Sequence, residues 1–131
     1  MSIQNLKSVL ILDAVTCAGI FLLSLIAAVP VASLLGLPLL VVTLGGWICL
    51  VSALLMAFVA TQKPPSAALT KLIVLGNLGW VAASVAVIGV FAGQMTGIGI
   101  ALVIAQALAV LVFAFLEAKG AAVAGRAALV S

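Results

Sequence analysis

The chain has 131 residues, of which 68% are hydrophobic and only 5% are charged. Soluble globular domains are about 45–50% apolar and about 25% charged, so a soluble fold of this length could not bury so much apolar surface. The net charge of +3 has no basic cluster, which excludes a nucleic-acid-binding surface, and the chain has no histidine for a zinc or haem site. The composition therefore predicts a single-domain integral membrane protein without a metal, a cofactor or a nucleic-acid partner.

Four apolar runs are long enough to cross a bilayer, whose hydrocarbon core takes about 20 residues of helix. The runs cover residues 9–29, 39–60, 72–91 and 98–116. They are continuous rather than alternating, which excludes membrane-spanning β-strands. Proline and glycine lie between them, as is typical of helix ends. The pattern predicts an all-α, integral membrane four-helix bundle over residues 1–131, built from two consecutive helical hairpins.

The first connection is apolar, and the first run shares some features with signal peptides. Residues 31–37 are still apolar, so we expect this connection to lie in the membrane interface rather than in open water. The first run follows Lys7 and has small residues near Ala28 and Ala32, features that also occur in cleaved signal peptides. It carries Asp13 and is longer than the apolar part of a signal peptide, so we expect it to remain as a helix.

Basic residues predict the orientation of the bundle. They precede the first run, flank the second connection and follow the fourth run: Lys7, Lys63, Lys71, Lys119 and Arg126. The first and third connections carry no charge. Because basic residues favour the cytoplasmic side, both termini are predicted to be cytoplasmic.

Asp13 is the clearest candidate for function, because an ionisable residue inside a spanning helix is costly. It lies about five residues past the predicted cytoplasmic edge, or roughly 7–8 Å deep. Thr16, Cys17 and Ser24 follow at helical spacing and should share its inward face. No second acidic residue is expected beside it within the membrane.

Three further polar residues complete the candidate intramembrane site: Asn77, Trp80 and Gln106. Asn77 should lie at the depth of Asp13, and a hydrogen bond between them would lock the first spanning helix to the third. Trp80 should follow on the same face, and Gln106 should lie deeper in the fourth helix.

Glu117 should end the fourth helix at the cytoplasmic surface, where Lys7 or Lys71 could form an ion pair with it. No Ser/His or Cys/His pairing and no phosphate-binding loop is present, so no catalytic residue is predicted and an enzyme is not expected.

Several short signatures occur in order over about residues 10–120. They are Leu12-Asp13-Ala14, Leu34-Leu35-Gly36-Leu37-Pro38, Gly76-Asn77 with Trp80, and Gln106-Ala107 leading to Phe113, Glu117 and Gly120. With them the chain resembles a largely uncharacterised family of small bacterial four-helix integral membrane proteins. The resemblance implies the fold and a place in the bacterial cytoplasmic (inner) membrane, and it implies no activity.

A looser similarity connects the chain with the small multidrug-resistance transporters. They also have four helices, an acidic residue in the first and a tryptophan in the third. Here Asp13 stands where a glutamate is expected, and the flanking pattern does not match.

Two functional hypotheses follow from the sequence. In the first, the protein is a non-enzymatic bundle that binds lipid or a hydrophobic ligand, or serves as an accessory or structural subunit of a membrane complex. Its intramembrane polar residues would then form interhelical hydrogen bonds, each of which stabilises the bundle by about 0.6–2 kcal/mol. In the alternative, it is a proton-coupled small-molecule transporter that uses Asp13. Glycines spaced by four, such as Gly89, Gly93 and Gly97, could pack helices within the chain or in a homo-oligomer.

Overall fold

A computed structural model describes residues 1–130, which are helical almost throughout. Five helices follow in chain order: α1 (Ile3–Ile26), α2 (Ala28–Leu35), α3 (Leu39–Thr61), α4 (Ala67–Phe91) and α5 (Gly97–Val130). Within this part of the chain, four helices are long and apolar enough to cross a membrane, namely α1, α3, α4 and α5. The predicted all-α architecture with four long apolar helices is confirmed.

Two helices begin earlier than the apolar runs predicted, because serine caps stabilise their polar first turns. The Ser2 hydroxyl accepts a hydrogen bond from the Asn5 amide at 3.1 Å, so α1 begins at Ile3. The Ser66 hydroxyl does the same for a backbone amide at the start of α4, at 3.2 Å. Each cap satisfies a backbone donor that has no partner within the helix. Hydropathy reports the apolar part of such a helix and misses its capped start.

The last helix extends to Val130 instead of ending near residue 116. No proline interrupts the alanine-rich sequence after residue 116, so the helix continues without a break. Three small residues on this extension, Gly120, Ala121 and Ala124, are buried. A Cβ atom on Gly120 would collide with the Leu6 side chain of α1, so the close approach of α1 and α5 requires glycine there.

The first connection forms the short helix α2, which ends at Gly36. Gly36 has φ 72°, a left-handed conformation that favours glycine, and its amide donates to the Ala32 carbonyl at 2.9 Å. Beyond it, the Thr96 amide donates to the Leu35 carbonyl at 3.2 Å. The Gln94 side chain donates to the Gly36 carbonyl at 3.2 Å. These bonds join the α2–α3 and α4–α5 connections at one end of the bundle.

The long helices pack mainly in two pairs, α1 with α3 and α4 with α5, and α1 also contacts α5. A buried cluster near the chain termini joins them: Leu6, Leu10, Ala14, Met56, Val59, Ala60, Ile73 and Ala124. This cluster brings together the starts of α1 and α4 and the ends of α3 and α5. The basic residues of the chain belong to this end, while the opposite end, around Gly36 and Thr96, is uncharged.

The outer surface of the bundle is apolar along its length. Large hydrophobic side chains are exposed on each long helix, including Leu12, Leu54, Leu75 and Phe115. Such a surface is what a lipid environment tolerates and water does not.

Candidate functional site

Asp13 lies on the buried face of α1, three residues after Leu10, and only 1% of its surface is exposed. Its Oδ2 atom accepts a hydrogen bond from Asn77 Nδ2 at 2.9 Å. The Cys17 thiol lies one turn further and is 3.7 Å from Asp13 Oδ1. Thr16 was predicted on the same face, but it is exposed and its hydroxyl donates to the Leu12 carbonyl of its own helix.

Asn77 of α4 is also buried and binds two carboxyl groups at once. Its Nδ2 atom donates to Asp13 Oδ2 at 2.9 Å and to Glu117 Oε1 at 2.7 Å. The structure thus contains the interhelical hydrogen bond that the sequence predicted, and extends it to a third helix. We call Asp13, Asn77 and Glu117 the carboxyl cluster.

The position predicted for Glu117 was wrong. Its side chain is completely buried and bonds to Asn77, so the expected ion pair with Lys7 or Lys71 does not form. The small residues that follow it on α5 pack against α1 and turn this face of the helix inward. The expectation that Asp13 would have no acidic neighbour was wrong for the same reason.

The carboxyl cluster brings together both acidic side chains of the chain, which has two in all. Neither forms an ion pair within residues 1–130, although five basic residues are available. The nearest basic residue in sequence, Lys119, places its Nζ atom 4.7 Å from the centre of the Phe115 ring. Glu117 Oε2 is buried and has no hydrogen-bond partner.

The carboxyl cluster lies further from the charged end of the bundle than Lys7 and Lys71 do. Asp13 follows Lys7 by six residues on α1, and Asn77 follows Lys71 by the same spacing on α4. At 1.5 Å per residue, the cluster lies about 9 Å further along the helices than these lysines.

A second polar group, the tryptophan network, consists of Trp80, Ser84 and Gln106 and joins α4 to α5. Trp80 Nε1 donates to Gln106 Oε1 at 2.6 Å. Gln106 Nε2 donates to Ser84 Oγ at 2.9 Å and to the Val103 carbonyl at 2.8 Å. Ser84 Oγ donates to the Trp80 carbonyl at 2.8 Å. The four polar residues predicted as one site therefore divide into two, with Asp13 and Asn77 in one and Trp80 and Gln106 in the other.

Two thiols lie beside the carboxyl cluster, and both are free cysteines. Cys17 is half-buried on α1, and Cys49 is buried on α3 and interacts with Cys17. Over residues 1–130, no group of three or more His, Cys, Asp or Glu side chains is placed to hold a metal ion. What the cluster offers chemically is a pair of carboxyl groups that can exchange a proton.

Sequence reasoning could have found Glu117 from its spacing. Glu117, Gly120, Ala121 and Ala124 recur at intervals of three and four, the pattern of one buried helix face. No family model, curated protein or solved structure matches the chain.

Proposed function

We propose that this chain is a non-enzymatic, multi-pass membrane protein that serves as an accessory or structural subunit of a larger membrane complex. The observation that carries the proposal is the distribution of polarity: the polar side chains in the middle of the bundle bond to one another, and the outer surface is apolar. A bundle built in this way is suited to contact lipid and other transmembrane helices.

The basic residues support an orientation with both termini in the cytoplasm. They belong to the end of the bundle that holds both chain termini, and the opposite end carries no charge. Basic residues favour the cytoplasmic side of a membrane. The resemblance to small bacterial four-helix membrane proteins supports the bacterial cytoplasmic membrane as the location.

The outward face of α4 has small residues that would allow a helix of a partner subunit to pack closely. Gly76, Gly79 and Gly89 lie on exposed positions of this helix, and nothing lies within 4 Å of a Cβ atom built on any of them. Membrane helices approach closely where small residues line the interface, and these glycines make no such contact within the chain. A transmembrane helix of another subunit would fit against this face.

A lipid chain would fit the neighbouring surface between α4 and α5. A shallow apolar groove there has Leu78, Leu111 and Phe115 among its lining residues. The groove supports lipid retention as part of the same function.

Purification in mild detergent tests the proposal. We expect the tagged wild-type chain to retain another membrane protein, and Gly79→Leu to lose it because leucine fills the space that the partner needs. Gly19→Leu is the matched control, since Gly19 is exposed on α1 with nothing within 4 Å of its Cβ position. Recovery of the chain alone, with neither another protein nor lipid retained, would contradict the proposal.

The second candidate function is proton-coupled transport of a small molecule through Asp13. The observation that favours it is Glu117, which gives Asp13 a neighbouring acidic group with an unpartnered oxygen atom. Intramembrane carboxyl pairs of this kind occur in proton relays.

Flux in liposomes tests transport. Wild-type protein and Asp13→Asn are reconstituted with a pH-sensitive dye inside the vesicles, and acidification is followed after substrates are added outside. Transport requires flux in the wild type and its loss in the variant. Equal flux in both, or none in either, would exclude this function.

A further inference from the structure

One buried oxygen atom of the carboxyl cluster lacks a hydrogen-bond partner in the structure. Asp13 Oδ2 and Glu117 Oε1 accept from the same nitrogen atom, at 2.9 and 2.7 Å, so the two carboxyl groups are close neighbours. Asp13 Oδ1 faces the Cys17 thiol at 3.7 Å. Glu117 Oε2 is buried and has no partner.

Two ionised carboxylates in this position would be unfavourable. They would carry two negative charges side by side, away from water, with no cation in contact. Asn77 can supply only its amide hydrogens, which cannot cancel charge. A buried polar atom without a hydrogen bond, as Glu117 Oε2 would then be, adds a further cost.

We propose that Asp13 and Glu117 together bind one proton at neutral pH, shared between the carboxyl groups of α1 and α5. The proton converts Glu117 Oε2 from an unpartnered acceptor into a donor toward Asp13, and it removes one of the two charges. When the proton leaves for water, both carboxylates remain, and the Asn77 amide is their sole shared donor. Pairs of acids that hold a single proton are a known solution where two carboxyl groups share a site.

A proton fits this site better than a metal ion does. Hard metal cations take about six or more oxygen ligands, and the cluster contains two carboxyl groups. Asn77 points its N–H group, not its carbonyl oxygen, at both acids. The helices are regular at this level, so their backbone carbonyl groups are occupied by helical hydrogen bonds.

The other titratable groups that face the cluster are two thiols, Cys17 of α1 and Cys49 of α3. The lysines of α1, α4 and α5 lie toward the end of the bundle, and Lys119 contacts Phe115. The proton site depends on the proposed placement in a membrane but does not depend on transport. It deepens the second candidate function by naming the group that would hold the coupled proton.

Infrared spectroscopy of the wild-type protein in lipid nanodiscs tests the inference directly. We expect the carbonyl stretch of a protonated carboxyl group at neutral pH, which disappears reversibly at alkaline pH. The lipid ester carbonyl groups of the nanodisc absorb in the same region but do not titrate, so the band is measured as the difference between neutral and alkaline spectra. The chain has two acidic side chains, and a terminal carboxyl group is ionised above about pH 4, so this difference band can be assigned. The absence of this band at neutral pH would overturn the proposal.

Glu117→Gln is the decisive variant, because glutamine has the shape of protonated glutamic acid and can donate to Asp13. We expect the carbonyl band to fall to background in this variant while the bundle remains folded. A band of unchanged area in Glu117→Gln would overturn the proposal. If the variant does not fold, the wild-type titration still decides the question.

Stability against pH gives an independent readout. Above about pH 5, exposed carboxyl groups in the unfolded chain have released their protons, whereas the folded pair keeps one. The folded state then binds more protons than the unfolded state, so wild-type stability must fall as pH rises. Glu117→Gln should lose this dependence. A Cys17→Ala/Cys49→Ala double variant should keep it, and its loss there would assign the titration to the thiols and overturn the proposal.

The outcomes separate the proton site from transport. A carbonyl band without liposome flux would retain the site and exclude the transporter. Flux that is abolished in Asp13→Asn, without a carbonyl band, would retain the transporter and exclude the shared proton.

Discussion

The carboxyl cluster and the tryptophan network are two polar groups inside one apolar bundle, and they are built differently. The tryptophan network joins two adjacent helices with neutral side chains, and each of its donors has an acceptor. The carboxyl cluster joins three helices, contains both acidic residues of the chain, and leaves Glu117 Oε2 unpartnered. A closed neutral network is sufficient to hold helices together. Two acids on one amide are more than helix packing needs.

From this difference we infer that the tryptophan network is structural and that the carboxyl cluster has a function. A bundle that required only interhelical hydrogen bonds could use amides and hydroxyls at both levels, as it does at Trp80 and Gln106. Acidic groups in a membrane are costly, and this chain places both of its acids together rather than beside its lysines. We therefore expect a ligand at the carboxyl cluster. The tryptophan network in the same bundle serves as the comparison for variants of this cluster.

The largest effect is expected for Asn77→Leu, which keeps the number and branching of the side-chain heavy atoms and removes the amide shared by both acids. Both hydrogen bonds that are lost join the Asn77 amide to buried carboxyl groups, and a hydrogen bond to a charged group contributes about 1.5–3 kcal/mol. We expect a loss of this order in the free energy of unfolding, measured by denaturant titration in detergent micelles.

Leu75→Ala is the control for this prediction, since Leu75 lies on the outward face of the same helix and is 66% exposed. It should cost far less than Asn77→Leu. If Asn77→Leu lowers the free energy of unfolding no more than Gln106→Leu does, the distinction between the carboxyl cluster and the tryptophan network is wrong.

A smaller effect is expected for Gln106→Leu, which leaves the Trp80 N–H group without its acceptor. Interhelical hydrogen bonds in membranes average about 0.6 kcal/mol and reach about 1.7 kcal/mol, so a cost in this range is expected, with no dependence on pH. In a Trp47→Phe background, Trp80 is the remaining tryptophan, and its emission should shift to shorter wavelength when the hydrogen bond is lost. A cost that changes with pH would show that the network is coupled to the carboxyl cluster.

The long helices could be predicted from hydropathy because four continuous apolar runs admit few other structures. The Asp13–Asn77 hydrogen bond could be predicted because each residue lies at the same distance from a lysine on its own helix. Both inferences use local information, namely the length of a run and the position of a residue within it.

Glu117 could not be placed in this way, because hydropathy assigned residue 116 as the end of the helix. The small residues after Glu117 mark a buried face of α5, but the helix that this face packs against is set by Gly120 and Leu6, which are far apart in sequence. The division of the four polar residues into two groups also depends on tertiary structure, since it is set by which α5 side chains meet Asn77 and Trp80. The sequence of one helix can indicate a buried face but does not identify the residues that pack against it.

The smallest effect is expected for Cys17→Ala, which tests where the carboxyl cluster ends. Cys17 Sγ lies 3.7 Å from Asp13 Oδ1, a long contact with a weak donor, and the residue is half-buried. We expect a change below about 0.6 kcal/mol in the free energy of unfolding, the average for a hydrogen bond between membrane helices. Because the Asn77 amide holds Asp13 without the thiol, the infrared carbonyl band should also keep its area. A cost as large as that of Gln106→Leu would instead make Cys17 a member of the cluster, and with it Cys49 on α3, so that all four long helices would meet at Asp13.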